Sequence, residues 1–225
     1  MYHGTERTRG QRMINCKRME ITRGARHWLG DGSYFYEEDC YAYRWIYDMY
    51  KTKYPDRIVD HEDLLKKYMI IEADLNVNRE RIFSFMNPEH KQLFDFALNE
   101  CIKRSKGQEI VDGAVLNLMF NIMGYRERYD AVIAVFLHDD TVMNDKKIRE
   151  GNVSSRLSYV PEIQICVKNL NVIENLKELN TSGAQNRLLR FAESYTSFAG
   201  KVKIKFPKRN GARYKAYNIK VRDEL

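Results

Sequence analysis

Hydrophobic and polar positions alternate along this chain with two clear periods. Behind Asn87-Pro88-Glu89, which offers an N-cap and a proline at the first helical position, Leu93, Phe94, Ala97, Leu98, Cys101 and Ile102 recur every 3.6 residues and predict a packed helix. Tyr41, Trp45 and Asp48/Met49, at three- to four-residue spacing behind acids, predict an amphipathic helix over residues 37–49 that ends before Tyr54-Pro55-Asp56. Asp60 to Tyr68 reads as a short capped helix, residues 113–123 as an apolar helix, and residues 185–198 as an amphipathic helix ending at Gly200. Period-two or β-branched runs predict strands at Tyr68–Leu75, Asp130–Phe136 and Glu162–Val167, the last entered through Pro161. Lys201 to Phe206 alternates strictly, and Asn210-Gly211 turns it back into Tyr214 to Val221 as a hairpin. Tyr2 to Thr5 is a short apolar entry. Residues 6–26 are polar and poorly periodic, a loop with one helical turn near Met13 to Met19, and Leu170 to Leu179 reads as a loop leading to a short turn of helix.

Strands and helices mixed in this order predict an α+β fold, and 225 residues suit a single domain, 1–225, with the basic hairpin at about 201–222 as an appendage. No apolar run approaches the roughly 20 residues that span a bilayer, and no apolar signal segment follows Met1, so a cytoplasmic protein without a membrane partner is expected. Cys16, Cys40, Cys101 and Cys166 are scattered, which indicates neither a disulfide framework nor a zinc site. His138-Asp139-Asp140 lacks a second ligand group, so no metal is expected.

Charge is unevenly placed within a net of +7. Arg7, Arg9, Arg12, Lys17, Arg18, Arg23 and Arg26 crowd the first 28 residues, and the 201–222 stretch has Lys201, Lys203, Lys205, Lys208, Arg209, Arg213, Lys215, Lys220 and Arg222 with no acid. Lysines on an edge hairpin deter strand-to-strand aggregation. Their number favours a polyanion-facing surface formed by Lys201, Lys203, Lys205, Lys208, Arg209, Arg213 and Lys215.

Candidate chemistry centres on Trp28-Leu29-Gly30-Asp31-Gly32-Ser33-Tyr34-Phe35, where two glycines permit a tight turn and close approach before a run of aromatic faces. Upstream stands His3-Gly4-Thr5, and downstream Glu162-Ile163-Gln164-Ile165-Cys166-Val167. The three segments, in that order, resemble the ADP-ribosyltransferases of the diphtheria-toxin and poly(ADP-ribose) polymerase type, which carry a histidine, a tyrosine and a glutamate on three strands. His3-Gly4-Thr5 matches the histidine motif, and Gly30 to Phe35 the Gly-x-Gly-x-Tyr-Phe motif. Ala42 and Trp45 match the small and aromatic residues eight and eleven positions after the tyrosine. The likeness is greatest to bacterial toxin members, including transferase components of toxin-antitoxin systems that act against phage.

The resemblance implies split antiparallel β-sheets with surrounding helices and an NAD cleft. It implies NAD as co-substrate, with no metal, bound through His3, Gly4, Thr5, Tyr34, Ala42 and Trp45. Tyr34 and Trp45 would sandwich the nicotinamide, His3 would bond a ribose hydroxyl, and Glu162 would bond the nicotinamide-ribose hydroxyl as positive charge develops. The catalytic set is then His3, Tyr34, Glu162 and Gln164, with the third-strand role open between Glu162 and Gln164. A glutamine can bond the hydroxyl but brings no charge. Arg23 or Arg26 would pair with pyrophosphate oxygens, or belong to a solvated basic loop. This chain departs from the family in having Trp45 where the polymerases have a second tyrosine, and in having only two residues before His3.

Chain-elongating polymerases carry a regulatory architecture that 225 residues cannot hold, so transfer of one ADP-ribose is expected. RNA is the expected acceptor, held by the basic segments. The alternatives are a protein acceptor, with the basic surface docking an acidic antitoxin, and a non-catalytic module that binds NAD or nucleic acid.

Overall fold

In a computed structural model of the chain, which describes residues 1–24, 27–105, 107–136 and 162–181, seven strands form one mixed sheet. In chain order the elements are β1 (Tyr2–Glu6), α1 (Arg7–Asn15), β2 (Ser33–Tyr36), α2 (Asp39–Lys53), α3 (His61–Lys67) and β3 (Tyr68–Leu75). There follow β4 (Ile82–Ser84), α4 (Pro88–Arg104), α5 (Asp112–Asn121), α6 (Tyr125–Arg128), β5 (Ala131–Phe136), β6 (Glu162–Val167) and β7 (Ile173–Glu178). The α+β class is therefore observed. The strand order is β4-β5-β6-β2-β1-β3-β7, antiparallel except for the β4–β5 pair.

Local signals set most boundaries. The side chain of Asn87 accepts from the Glu89 N–H to start α4 at Pro88, and that of Asp60 accepts from the Asp63 N–H to start α3. Two expectations are corrected. The segment before Leu179 holds the edge strand β7, paired with β3, instead of a loop and helical turn, and Asn175 interrupts it at φ 53°. The single helical turn expected near Met13 is the longer helix α1, starting at Arg7; it buries only Gly10 and Met13, too few apolar positions to mark a period. The predicted helix over 185–198, the loop after His138 and the basic hairpin lie outside the described residues.

The expected pair of split sheets is joined into one, but the join is narrow. β1 and β2 share a single registered pair, Tyr2 opposite Tyr36, whereas β5 and β6 share six. Helices cover the two halves separately. On the β1–β3 half, Tyr41, Tyr43, Ile46 and Tyr50 of α2 bury themselves with Tyr68 and Ile70. On the β4–β5–β6 half, Val115, Leu116, Met119 and Phe120 of α5 and Phe94 of α4 pack with Phe83, Val132 and Cys166. The opposite face of the sheet is closed by α1, whose Met13 packs with Met69, Ile71, Phe35 and Ile165. Each fully buried side chain of this size contributes roughly 1.5–3 kcal/mol, so each half has its own hydrophobic anchor. Gly4 lets α2 close on β1, since a Cβ there would stand 2.8 Å from the Ala42 carbonyl oxygen and 2.9 Å from Trp45 Cε3.

Candidate active site

Between the two helical layers, the strands at the seam form the floor of a cleft of about 390 Å³, a size suited to a small molecule. Tyr34 and Tyr36 alternate on β2 and share one face, as do Glu162 and Gln164 on β6, with Tyr36 opposite Gln164 in the ladder. Tyr41, Arg44, Trp45 and Asp48 of α2 lie on one helical face and form a wall. β1 supplies His3, Gly4 and Thr5, and Arg9, Thr22, His27 and Trp28 complete the lining.

Glu162 is 3% exposed and does not stand alone. Nε2 of Gln164 donates to its Oε1 at 2.5 Å, and Arg44 Nη1 lies 3.6 Å from its Oε2. Arg44 also reaches Asp48 at 3.5 Å. This half-buried cation balances a carboxylate that would be costly to desolvate by itself. Burial, with the charge of Glu162 beside it, pushes the pKa of Tyr36 above the usual phenol range, so its hydroxyl remains a donor in neutral solution.

His3 faces Tyr34 across the seam, its Nδ1 2.7 Å from the Tyr34 carbonyl oxygen. Burial lowers its pKa to about 4, so the ring is neutral near pH 7. Nδ1–H then donates to the carbonyl, and Nε2 carries a lone pair. The Tyr34 hydroxyl is occupied twice, donating to the Gly30 carbonyl at 2.6 Å and accepting from the Leu29 N–H at 3.0 Å. Its ring face, not its hydroxyl, is what Tyr34 offers to a ligand.

The Gly-x-Gly turn that carries Tyr34 is held from below. Lys168, 3% exposed, donates to the carbonyls of Leu29 at 2.5 Å and Asp31 at 2.7 Å, and burial draws its pKa below the ordinary lysine value. Asn117 of α5 accepts from the Asp31 N–H at 2.7 Å and donates to the Asp31 carboxylate at 3.1 Å. Gly30, at φ 72°, has no room for a Cβ, which would stand 2.5 Å from Asn117 Oδ1.

The cleft brings together His3, Gly4, Thr5, Tyr34, Trp45, Glu162 and Gln164. Ala42 is fully buried and lies behind the wall, where its carbonyl meets Gly4; it shapes the site without lining it. Arg23 is exposed and lines a different depression, and Arg26 lies outside the described residues, as do Lys201, Lys203, Lys205, Lys208, Arg209, Arg213 and Lys215. Reading the sequence missed Tyr36, Tyr41, Arg44, Asp48 and Arg9. Alternation from Tyr34 points to Tyr36, and helical spacing from Trp45 points to Tyr41, Arg44 and Asp48. Arg9 had no such signal, because the helix bearing it was hidden. Among the described residues no cluster of three or more His, Cys, Asp or Glu could hold a metal, and no helix is long and apolar enough to cross a membrane.

No protein-family model matches the chain, and no solved structure matches it. The uncharacterized protein MJ0359 of Methanocaldococcus jannaschii is 34% identical to it over 213 residues, covering 89% of this chain and 96% of that protein.

Proposed function

The chain belongs to the family of that archaeal protein, and from its cleft we propose that it is a mono-ADP-ribosyltransferase that cleaves NAD and transfers ADP-ribose to RNA. The observation that carries this reading is the meeting of His3, Tyr34, Trp45 and Glu162, from β1, β2, α2 and the sequence-distant β6, in one cleft at the narrow seam between β1 and β2. The seam also supports reading the fold as ADP-ribosyltransferase-like, with two antiparallel halves flanking an NAD site. The same motifs extend the proposal to a toxin.

In this mechanism the nicotinamide ring lies between the faces of Tyr34 and Trp45. The bond between the nicotinamide nitrogen and the ribose anomeric carbon breaks, and its electron pair leaves with neutral nicotinamide. Positive charge grows on the ribose, as in glycoside cleavage, and the Glu162 carboxylate accepts a bond from the neighbouring hydroxyl that strengthens with that charge. An acceptor oxygen or nitrogen attacks the anomeric carbon from the opposite face and gives its proton to solvent. Neutral His3 accepts a ribose hydroxyl at Nε2, and Arg44 orients the Glu162 carboxylate from 3.6 Å. Glu162 lines the cleft, which favours this reading over a non-catalytic binding module.

The experiment is incubation of the full chain with labelled NAD and a mixture of RNA, DNA and cell protein. Label removable by ribonuclease and not by protease is the expected result. Label removed by protease alone would move the acceptor to protein, and absence of both label and nicotinamide release would overturn the enzymatic reading.

A further inference from the structure

The connection from α1 to the Gly30 turn displays more cations than its carboxylates neutralise. Arg7 pairs with Glu178 at 3.0 Å, and Arg9 and Arg12 share Glu20 at 2.8 and 2.6 Å. The side chains of Lys17, Arg18 and Arg23 are exposed and make no hydrogen bond or ion pair among the described residues.

Two of these cations are presented on a fixed backbone. α1 ends with Lys17 in the left-handed region, φ 50°, its N–H donating to the Ile14 carbonyl and the Arg18 N–H to the Met13 carbonyl, both at 3.0 Å. Met13 and Met19, 1% and 2% exposed, pin the turn to the core. A side chain in this region is strained by roughly 1 kcal/mol or more, and glycine would not be. A cation therefore stands where glycine would be less strained.

Beside this turn opens a shallow pocket of about 500 Å³, with the guanidinium-bearing residues Arg12, Arg18 and Arg23 around an apolar floor that includes Met19, Ile21 and Leu170. Glu20, which also lines it, joins it to the cleft. Arg9 on the cleft side and Arg12 on the pocket side grip its two carboxylate oxygens, and Arg12 first among them holds its pKa below the usual carboxylate range. Among the described residues, the positive charge of the pocket that no carboxylate pairs with thus belongs to Arg18 and Arg23, with Lys17 at its rim.

We propose that this pocket binds backbone phosphates of the RNA acceptor, next to the cleft where NAD is held. The inference rests on RNA as the acceptor. Planar guanidinium groups match phosphate oxygens two at a time, and an apolar floor suits the sugars between phosphates. Arg18 and Arg23 do not line the cleft, so their charge serves a ligand outside it, and the ion-paired bridge from Arg9 in the cleft through Glu20 to Arg12 in the pocket sets that ligand beside the reacting centre.

The test is fluorescence anisotropy of a short labelled single-stranded RNA, without NAD, across a salt series. It uses the full wild-type chain, the double variant Arg18→Gln/Arg23→Gln, and Lys17→Gly, which also relieves the strained turn. The double variant is expected to weaken binding roughly tenfold at low salt and to flatten the salt slope by about 1.4, which is about 0.7 for each phosphate no longer neutralised. Lys17→Gly should keep or raise the melting temperature while weakening RNA binding several-fold. Unchanged affinity and slope in both variants would overturn the proposal, as would wild-type binding to polyglutamate but not to RNA. Nicotinamide release by the wild-type chain is measured separately. If it is absent while the arginines govern RNA binding, the transferase reading fails and the phosphate site stands; if it is present while the variants bind RNA normally, only the phosphate site fails.

Discussion

The imidazole of His3 and the backbone carbonyl of Tyr34 meet at 2.7 Å across the seam where the β1–β2 ladder ends. A side chain takes over where main-chain pairing stops, so the two strands that line the cleft are tied by a group that titrates.

Folding lowers the His3 pKa from 6.5 to about 4, chiefly by burial. The charged ring is thus disfavoured in the folded state. The stability tied to its neutral form is fully present above pH 6.5 and is lost as pH falls towards 4, on the order of 3 kcal/mol in all. Denaturant titrations of wild type and His3→Gln between pH 7 and 4 should converge by that amount as the solution is acidified; parallel curves would refute it.

Glu162 and Gln164 divide the third-strand role. Glu162→Gln keeps the shape, leaves Arg44 its ion pair with Asp48, and should lower the turnover number roughly a hundredfold or more. Gln164→Ala removes only the amide that aims the carboxylate and should cost roughly tenfold. Single-turnover nicotinamide release measures both, and the reverse ranking would give Gln164 the direct role.

How much of this was readable in the sequence depends on whether the signal was local. The helix start at Asn87-Pro88 and the strand Tyr68–Leu75 were legible because capping and alternation act between near neighbours. His3, Tyr34, Trp45 and Glu162 were legible as motifs, though no local rule says that they meet. β7 was not legible, because Ile173-Glu174-Asn175-Leu176-Lys177-Glu178 is mostly polar and becomes a strand only through the open edge of β3. Arg44 was hidden for another reason: a charged residue on an amphipathic helix ordinarily reads as its solvated face, and its buried partner Glu162 lies more than a hundred residues away.

Gly4 is the point of closest approach between α2 and β1. A Cβ from Gly4→Ala would stand 2.8 Å from the Ala42 carbonyl oxygen and 2.9 Å from Trp45 and Ile46 side-chain atoms, so the helix must move outward. The expected cost is about 1–3 kcal/mol, together with a higher KM for NAD as Trp45 shifts. Chemical denaturation and steady-state kinetics check the two parts.

Lys168 acts on the cleft through the turn. Lys168→Met retains bulk but leaves the Leu29 and Asp31 carbonyls without their ammonium donor, a loss of roughly 3 kcal/mol. Because Leu29 and Gly30 hold the Tyr34 hydroxyl, the loosened turn should raise the KM for NAD about tenfold while the turnover number changes less. An unchanged KM would confine Lys168 to stability.

Trp28 and Trp45 are the only two tryptophans in the chain, and both border the cleft. Trp28 is 52% exposed, with its ring 4.7 Å from that of Phe136. The indole emission of the whole protein therefore originates at the cleft. The native chain carries an optical reporter of occupancy, and ligands can be screened by quenching without attaching a dye.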